Sequence, residues 1–157
     1  MLSILSGYGQ STVAHIQKNL AATGTNATGK TSRSLRFEVK EQDDKQTLTV
    51  IGARRFFMTV ETGRKATPQY SNPSTEFVAA IKQWMEAKGI EGPAYAIAKS
   101  IHQKGTKLFR SGGRKDIVSS VINQSLYDTI SKDLLQQFAT TYLSNTVKLF
   151  GSGSNNI

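Results

Sequence analysis

The sequence contains no cysteine. This absence excludes disulfides, thiol catalysis and thiolate metal sites together, and it is typical of a protein made in a reducing cytoplasm. No apolar run approaches the length of about eighteen residues that a transmembrane helix requires, so no membrane partner is expected. Residues 1–10 are apolar, but they are too short for a signal-peptide core and follow no basic segment. We expect a mobile or packing tail there.

Histidine is almost absent as well. His15 and His102 are the only two, each alone on a predicted helix, whereas a metal site needs three or four ligands at suitable spacing. We expect both to be ordinary surface or boundary residues. Asp43 and Asp44 fall in a predicted hairpin turn, where aspartate is common. The sequence therefore predicts no metal site and no other cofactor.

Acidic residues are scarce relative to basic ones, 11 against 20, and the net charge is +9. Such an excess commonly marks proximity to a polyanion. The basic residues are spread through predicted loops rather than gathered in a tail, which indicates a loop-lined positive face. Seven of them are candidates for a DNA channel or a subunit interface: Arg54, Arg55, Arg64, Lys65, Arg110, Arg114 and Lys115.

The first half of the chain reads as a helix followed by strands. Apolar residues at spacings of three and four predict a short helix from Ser11 to Ala22, and residues 23–32 are a loop by composition. Period-two alternation in SLRFEVKEQ and in TLTVIGA predicts an antiparallel hairpin. The segment RRFFMTVETG reads as a third strand that is buried on both faces.

The second half reads as helices and loops. After a loop over 63–73, Ser74 or Thr75 caps a helix that ends near Lys88, before Gly89. Pro93 opens the next helix at its first position. A basic, glycine-rich loop follows over 104–115. From Asp116 to Leu149 the pattern is helical, as one long helix or as two with a bend near 125–131, and residues 151–157 read as a disordered tail.

Strands and helices are thus segregated along the chain, which indicates the α+β class. The expected fold has an N-terminal helix, a small antiparallel sheet of two to four strands and a helical C-terminal half. At 157 residues the chain is of single-domain size. We expect one domain over 1–150, with a C-terminal helical extension over about 116–150.

One stretch suggests an enzyme. GTNATGKTS, residues 24–32, satisfies the phosphate-loop pattern G-x-x-x-x-G-K-[ST]. A phosphate loop requires a strand that enters it and a helix that leaves it, whereas here a predicted helix enters and a predicted strand leaves. No apolar strand ends in the aspartate that a magnesium shell needs. We therefore interpret the match as accidental and predict a non-enzymatic protein in which Gly29 matters for backbone shape and Lys30 scarcely matters.

Glu61 stands out among the carboxylates, in VETGRK beside a glycine and two basic residues. As a general base it needs a partner acid or nucleophile, and the sequence offers none nearby. We expect it instead to pair with a basic residue or to accept hydrogen bonds from loop N–H groups.

Two short motifs in this order carry a family resemblance. TGKTSRSL, residues 28–35, resembles the T-G-x-L-x-x-S-[IL] signature of tailed-bacteriophage neck and tail-completion proteins, a family of head–tail connectors. In that family a helix precedes this segment, and a hairpin and a v-E-x-G segment follow it; TVETGRKATP occupies that place here. Thr31 departs from the family's apolar residue. The motif residues that carry over are Thr28, Gly29, Ser34, Leu35, Glu61 and Gly63.

The stretches EFVAAIKQWMEAKGI and AYAIAKSIHQKGTKLFRSGGRKDI resemble a branch of this family from short-tailed phages of gut bacteria. The resemblance implies a structural virion protein, found in the neck or tail and in the host cytoplasm during assembly. Such proteins form rings of about twelve or six copies. The implied partners are other copies of the chain, portal or neck proteins, tail proteins and, without specificity, genomic DNA.

A second function remains open. The chain also has the composition of a small basic module that binds nucleic acid without sequence specificity. Single-strand recognition usually adds aromatic stacking to the basic residues. Phe56, Phe57 and Phe109 lie beside basic residues, although strand and helix periodicity can bury all three.

Overall fold

The computed structural model of the chain describes residues 2–43, 45–52, 57–67 and 71–151. The N-terminal half contains helix α1 (Leu2–Ala22), the one-turn helix α2 (Lys30–Arg33), strands β1 (Leu35–Gln42) and β2 (Lys45–Gly52), and the one-turn helix α3 (Thr59–Thr62). The C-terminal half contains α4 (Thr75–Lys88), α5 (Ala94–Lys104), the one-turn helix α6 (Lys107–Arg110) and α7 (Gln124–Gly151). The α+β class is confirmed, with a sheet of two antiparallel strands in the described residues.

The hairpin packs one face against α1. Phe37 pairs with Val50 and Val39 with Leu48, so the alternating apolar residues share a face as predicted. Gly9 of α1 makes this contact possible, because a Cβ there would lie 2.6 Å from Cγ of Phe37. Any larger residue at Gly9 would push the helix away from the sheet.

The core lies between α1, the first residue of β1 and the segment that precedes α7. Ile16 and Leu20 of α1 are fully buried and pack with Leu35, Ile117 and Val118. Partly buried apolar residues surround them: Val13, Val50, Phe57, Val60 and Val121. Burial of each large aliphatic side chain contributes roughly 1.5–3 kcal/mol, so this small cluster is the main apolar contribution to the fold.

Helix α1 begins nine residues earlier than predicted, at Leu2; the segment expected to be a mobile or packing tail does pack, but as the first part of a helix. Leu2, Leu5 and Tyr8 recur there at a spacing of three, and tertiary contacts hold the segment in a helix. Leu5 is buried, and the Tyr8 hydroxyl donates a 2.5 Å hydrogen bond to Oδ2 of Asp133 in α7. This bond raises the pKa of Tyr8, because the phenol donates to a carboxylate.

The predicted third strand is wrong where the structure describes it. Residues 57–62 form a turn and then α3 instead of a strand. An apolar residue at nearly every position does not distinguish a buried strand from a buried helical turn. The first residues of the predicted strand, 53–56, lie outside the described part of the chain.

The helical prediction for 116–123 is also wrong, and the C-terminal helix begins only at Gln124. Ile117, Val118 and Val121 have helical spacing, but this segment forms irregular turns. Oδ1 of Asn123 accepts a 3.1 Å hydrogen bond from the backbone N–H of Leu126 and so caps α7. From there a single helix runs to Gly151, and residues 152–157 of the predicted tail lie outside the described residues.

The boundaries of α4 and α5 agree closely with the sequence. Oγ of Ser74 accepts a hydrogen bond from the N–H of Phe77, and Gly89 ends α4 in the left-handed conformation. Pro93 is the cap residue of α5 rather than its first residue. The loops predicted over 23–32 and 104–115 contain the one-turn helices α2 and α6. None of the described helices has the length and apolarity needed to cross a membrane.

Candidate functional site

The carboxylate of Glu61 is the centre of the most connected polar cluster in the described structure. Its Oε1 accepts hydrogen bonds from the backbone N–H groups of Ile117, Val118 and Ser119, at 2.9, 2.6 and 3.0 Å. Its Oε2 accepts a 2.6 Å bond from the Ser119 hydroxyl. Glu61 is only 3% exposed. The expectation that it accepts loop N–H bonds is confirmed.

Glu61 is held in its ionised form. Burial alone would raise its pKa, but the hydrogen bonds from Ser119, Val118 and Ile117 favour the carboxylate, and the pKa lies below the ordinary value of 4.5. A carboxylate with both oxygens occupied is a poor general base. Its chemistry is that of a fixed anion that organises three backbone donors.

Asn19 of α1 holds the same segment from its other side. Nδ2 of Asn19 donates 3.1 Å to the carbonyl of Ile117 and 3.3 Å to Oγ of Ser120. The side chains of Ile117 and Val118 meanwhile enter the core. The 117–120 segment is therefore fixed by α1, by α3 and by the core at once, although it has no regular secondary structure.

Gly63 follows Glu61 at a place where the backbone leaves no room for a side chain. Its φ is 71°, and a Cβ would collide with the backbone nitrogen of Phe109 and lie 2.6 Å from Oγ1 of Thr106. The next residue, Arg64, exchanges two hydrogen bonds with Thr106. The Arg64 N–H donates 2.9 Å to Oγ1 of Thr106, and the Thr106 N–H donates 2.9 Å to the Arg64 carbonyl. The v-E-x-G segment thus docks on the start of α6.

The TGKTSRSL motif forms a left-handed turn, the helix α2 and the entry to β1. Gly29 has φ 68°, and the exposed Thr28 offers its carbonyl to Nη2 of Arg33 at 3.2 Å. The Ser34 hydroxyl donates 2.7 Å to the carbonyl of Thr31, which closes α2. Leu35 then enters the core beside Ile117 and Val118. The two motifs therefore meet at one place, since Glu61 binds the backbone of the residues on which Leu35 packs.

The phosphate-loop pattern lies in a different arrangement from that of a nucleotide site. Helix α1 enters the loop, and α2 lasts one turn before β1. The sheet is an antiparallel hairpin in the described residues, so it supplies no parallel strand to deliver the loop. Nζ of Lys30 donates 3.0 Å to Oε1 of Gln83 in α4, at the surface.

Some of the predicted basic residues contact other side chains, and others are exposed. Arg114 forms a bidentate pair with Asp116, at 2.6 and 2.7 Å, and the guanidinium lowers the pKa of Asp116. The Arg64 guanidinium lies 3.7 Å from the centre of the Phe77 ring, a cation–π contact. Lys65, Arg110 and Lys115 are exposed. Arg54 and Arg55 lie outside the described residues.

The two histidines differ from one another. His15 is exposed as expected, but His102 is buried on the inner side of α5, at 7% exposure, and the expectation of a surface or boundary position is wrong for it. Its Nε2 lies 2.7 Å from Oγ of Ser71. In the described parts of the chain no group of three or more metal-ligating side chains is present.

Sequence reasoning missed three residues around the site: Ser119, which bonds to Glu61, Asn19, which bonds to the segment that Glu61 binds, and Thr106, which bonds to Arg64 beside Gly63. Each supplies a side-chain hydrogen bond to a segment distant in sequence. Threonine before a one-turn helix is a recognisable cap signal, and Oγ1 of Thr106 does accept from the N–H of Phe109. For Asn19 and Ser119 the sequence carries no comparable signal.

Glu61→Gln should destabilise the fold by about 2–3 kcal/mol, because the buried N–H donors lose an ionised acceptor. The lowered pKa means that Glu61 contributes full stability above its ordinary value of 4.5 and loses it as the pH falls through the folded-state value. Urea unfolding at pH 7 and pH 3 should therefore show the wild-type and variant curves converging in acid. Exposed Glu91→Gln is the matched control. An undiminished gap at pH 3 would contradict the assignment.

Gly63→Ala should cost about 3 kcal/mol or more, because the added Cβ overlaps backbone at a positive φ. Gly89→Ala is the control, since Gly89 has a similar φ of 63° but nothing within 4 Å of the Cβ position. It should cost about 1–2 kcal/mol. Equal thermal shifts for the two variants would show that crowding against α6 is unimportant.

Gly29→Ala should cost about 1–2 kcal/mol through its positive φ. Lys30→Ala should change the free energy of unfolding by less than about 0.5 kcal/mol, because Lys30 makes one exposed hydrogen bond. Differential scanning fluorimetry with and without Mg-ATP measures both effects. A nucleotide-dependent rise in Tm that disappears in Lys30→Ala would restore the enzyme hypothesis.

Comparison with protein-family models, with curated proteins and with solved structures finds no match to this chain.

Proposed function

We propose that this chain is a structural ring protein of the head–tail junction in a tailed bacteriophage, a neck or tail-completion protein that joins portal-proximal and tail components. The observation that carries the proposal is that both resemblance motifs hold the same junction. Leu35 packs on residues 117–118 and Glu61 binds the backbone of 117–119. Motif residues that stabilise the same junction are expected in a protein whose function depends on its shape rather than on catalysis.

The surface also supports an assembly role. Six large apolar side chains of α7 are exposed by 60% or more, and this is unusual for a chain that works alone. A ring subunit needs two different patches that complement each other on neighbouring copies. In this proposal the protein is not an enzyme, and it acts in the virion after assembly in the host cytoplasm.

The positive charge fits a protein beside packaged DNA. Residues 92–115 contain six Lys or Arg residues and no Asp or Glu. Lys65, Arg110 and Lys115 are exposed, so they can contact phosphates without reading a sequence. This same acid-free segment is the specific observation that favours the second candidate, a small module that binds nucleic acid non-specifically.

Particles of a phage that encodes this chain provide the test. Mass spectrometry of purified virions should detect the chain at a ring-like copy number, and gold-labelled antibody should mark the junction of head and tail. Absence of the chain from mature particles would contradict the proposal. The second candidate predicts that the isolated monomer binds duplex DNA with an affinity that falls steeply between 50 and 200 mM salt, in a filter-binding titration.

A further inference from the structure

Helix α7 extends well past the end of α1. It is antiparallel to α1, because Tyr8 bonds to Asp133 while Asn19 bonds to Ile117 and Ser120. Helix α1 begins at Leu2, so it covers about 9 Å of α7 past Asp133. Helix α7 continues to Gly151, about 27 Å past the same point. Tyr142, Leu143 and Val147 therefore lie past the end of α1, and all three are exposed.

The exposed apolar residues of α7 form two stripes on different sides of the helix. At about 100° per residue, stripe A covers roughly 80° and stripe B is centred roughly 140° away from it. The side that meets α1, with Leu126 and Asp133, lies between the stripes. Stripe A consists of Tyr127, Leu135, Phe138 and Tyr142, exposed by 66, 70, 60 and 64%; stripe B consists of Leu143 and Val147, exposed by 63 and 69%.

The exposed apolar area of α7 is divided between the two stripes. Six side chains of this kind at these exposures present on the order of 600 Å². The largest apolar patch on a typical monomer is about 300–600 Å², and a standard interface uses about 800 Å² of each partner. In a contact between stripe A of one copy and stripe B of the next, the six side chains together supply about 600 Å², and the small side chains beside them add to it. The stacked rings of Phe138 and Tyr142, 6.4 Å apart, give stripe A a rigid aromatic centre.

The pattern of charge indicates that the partner of these exposed stripes is α7 of a second copy of the chain. Between Asp133 and Lys148 the sequence contains no Asp, Glu, Lys, Arg or His. Identical helices therefore lie side by side without like-charge repulsion, whereas most other contacts between copies of a +9 chain bring basic residues together. Helices that lie on membranes carry a Lys/Arg-rich polar face, and this stretch has none.

We propose that α7 is the element through which copies of this chain associate, with stripe A of one copy packed against stripe B of the next. One partner placed on one side covers only one stripe, whereas a repeated array covers both. Contacts between two different patches are heterologous, and they close into a ring when the rotation between copies allows it. This inference rests on the proposed ring function and names the surface that builds the ring.

The test uses three double variants of the full chain, each with two exposed residues of α7 changed to Glu. Leu135→Glu/Phe138→Glu disrupts stripe A, and Leu143→Glu/Val147→Glu disrupts stripe B. Thr141→Glu/Ser144→Glu adds the same charge to exposed polar positions between the stripes and is the control. Because all six side chains are exposed, circular dichroism should report the same helical content for every variant.

Sedimentation velocity should show wild type and control as one large oligomer and both stripe variants at the monomer mass of 17.2 kDa. An equimolar mixture of the two stripe variants should form a species of twice that mass and stop there, since it retains one intact A–B contact per pair. Three results would each overturn the inference. They are a stripe variant that assembles like wild type, a mixture of the two stripe variants that stays monomeric, and a stripe-B variant that dimerises alone. A wild-type monomer at all concentrations would also overturn it.

These outcomes are separable from failure of the proposed function. The presence of the chain at the head–tail junction is decided on particles, without any α7 variant. If the chain is found there and the stripe variants still assemble, only the surface assignment fails. If the stripe variants behave as expected but particles lack the chain, the self-association stands and the virion role falls.

Discussion

The buried carboxylate of Glu61 is the contact on which the arrangement of the two halves depends. Residues 117–119 have no helix or strand to satisfy their N–H groups, and Glu61 binds all three. A buried unsatisfied donor costs about 1–3 kcal/mol, so without this acceptor the segment could not remain beside the core at little cost. Together with Asn19 and the core contacts of Ile117 and Val118, this side chain fixes the position from which α7 departs.

The surroundings of Glu61 keep it in place. Gly63 allows the chain to turn under Phe109, and Arg64 and Thr106 pair in both directions. On the opposite side, Asn19 binds the carbonyl of Ile117. The segment from which α7 departs is therefore held on two sides, and the proposed assembly role of α7 needs such a base if its two stripes are to keep fixed directions.

The sequence predicted the parts of the fold that local chemistry decides. Alternation fixed the hairpin face of Phe37 and Leu48, and Ser74 and Gly89 marked the ends of α4. The predictions from sequence were wrong where contacts with residues distant in the chain decide the local conformation. Residues 2–10 are helical because α7 and the hairpin pack on them, and the helical spacing of 117–121 yields to the bonds with Glu61.

Contacts between residues distant in the chain also limited what the sequence could predict about the candidate site. Glu61 and Gly63 were found from their motif, and hydrogen bonding of Glu61 to a loop was expected from its neighbours. Which loop it binds could not be known, because Ile117 and Ser119 lie more than fifty residues away. The stripes of α7 are visible in the sequence as apolar residues, but only the fold shows which of them α1 leaves exposed.

The central claim is that this chain is an assembly subunit that closes with copies of itself. Native mass spectrometry of the purified full-length chain tests that claim most directly, because it counts the copies in each particle. The account predicts one dominant closed oligomer whose mass is a whole multiple of 17.2 kDa, with few intermediates. A spectrum that contains only monomer, or a broad ladder without a dominant closed state, would contradict it.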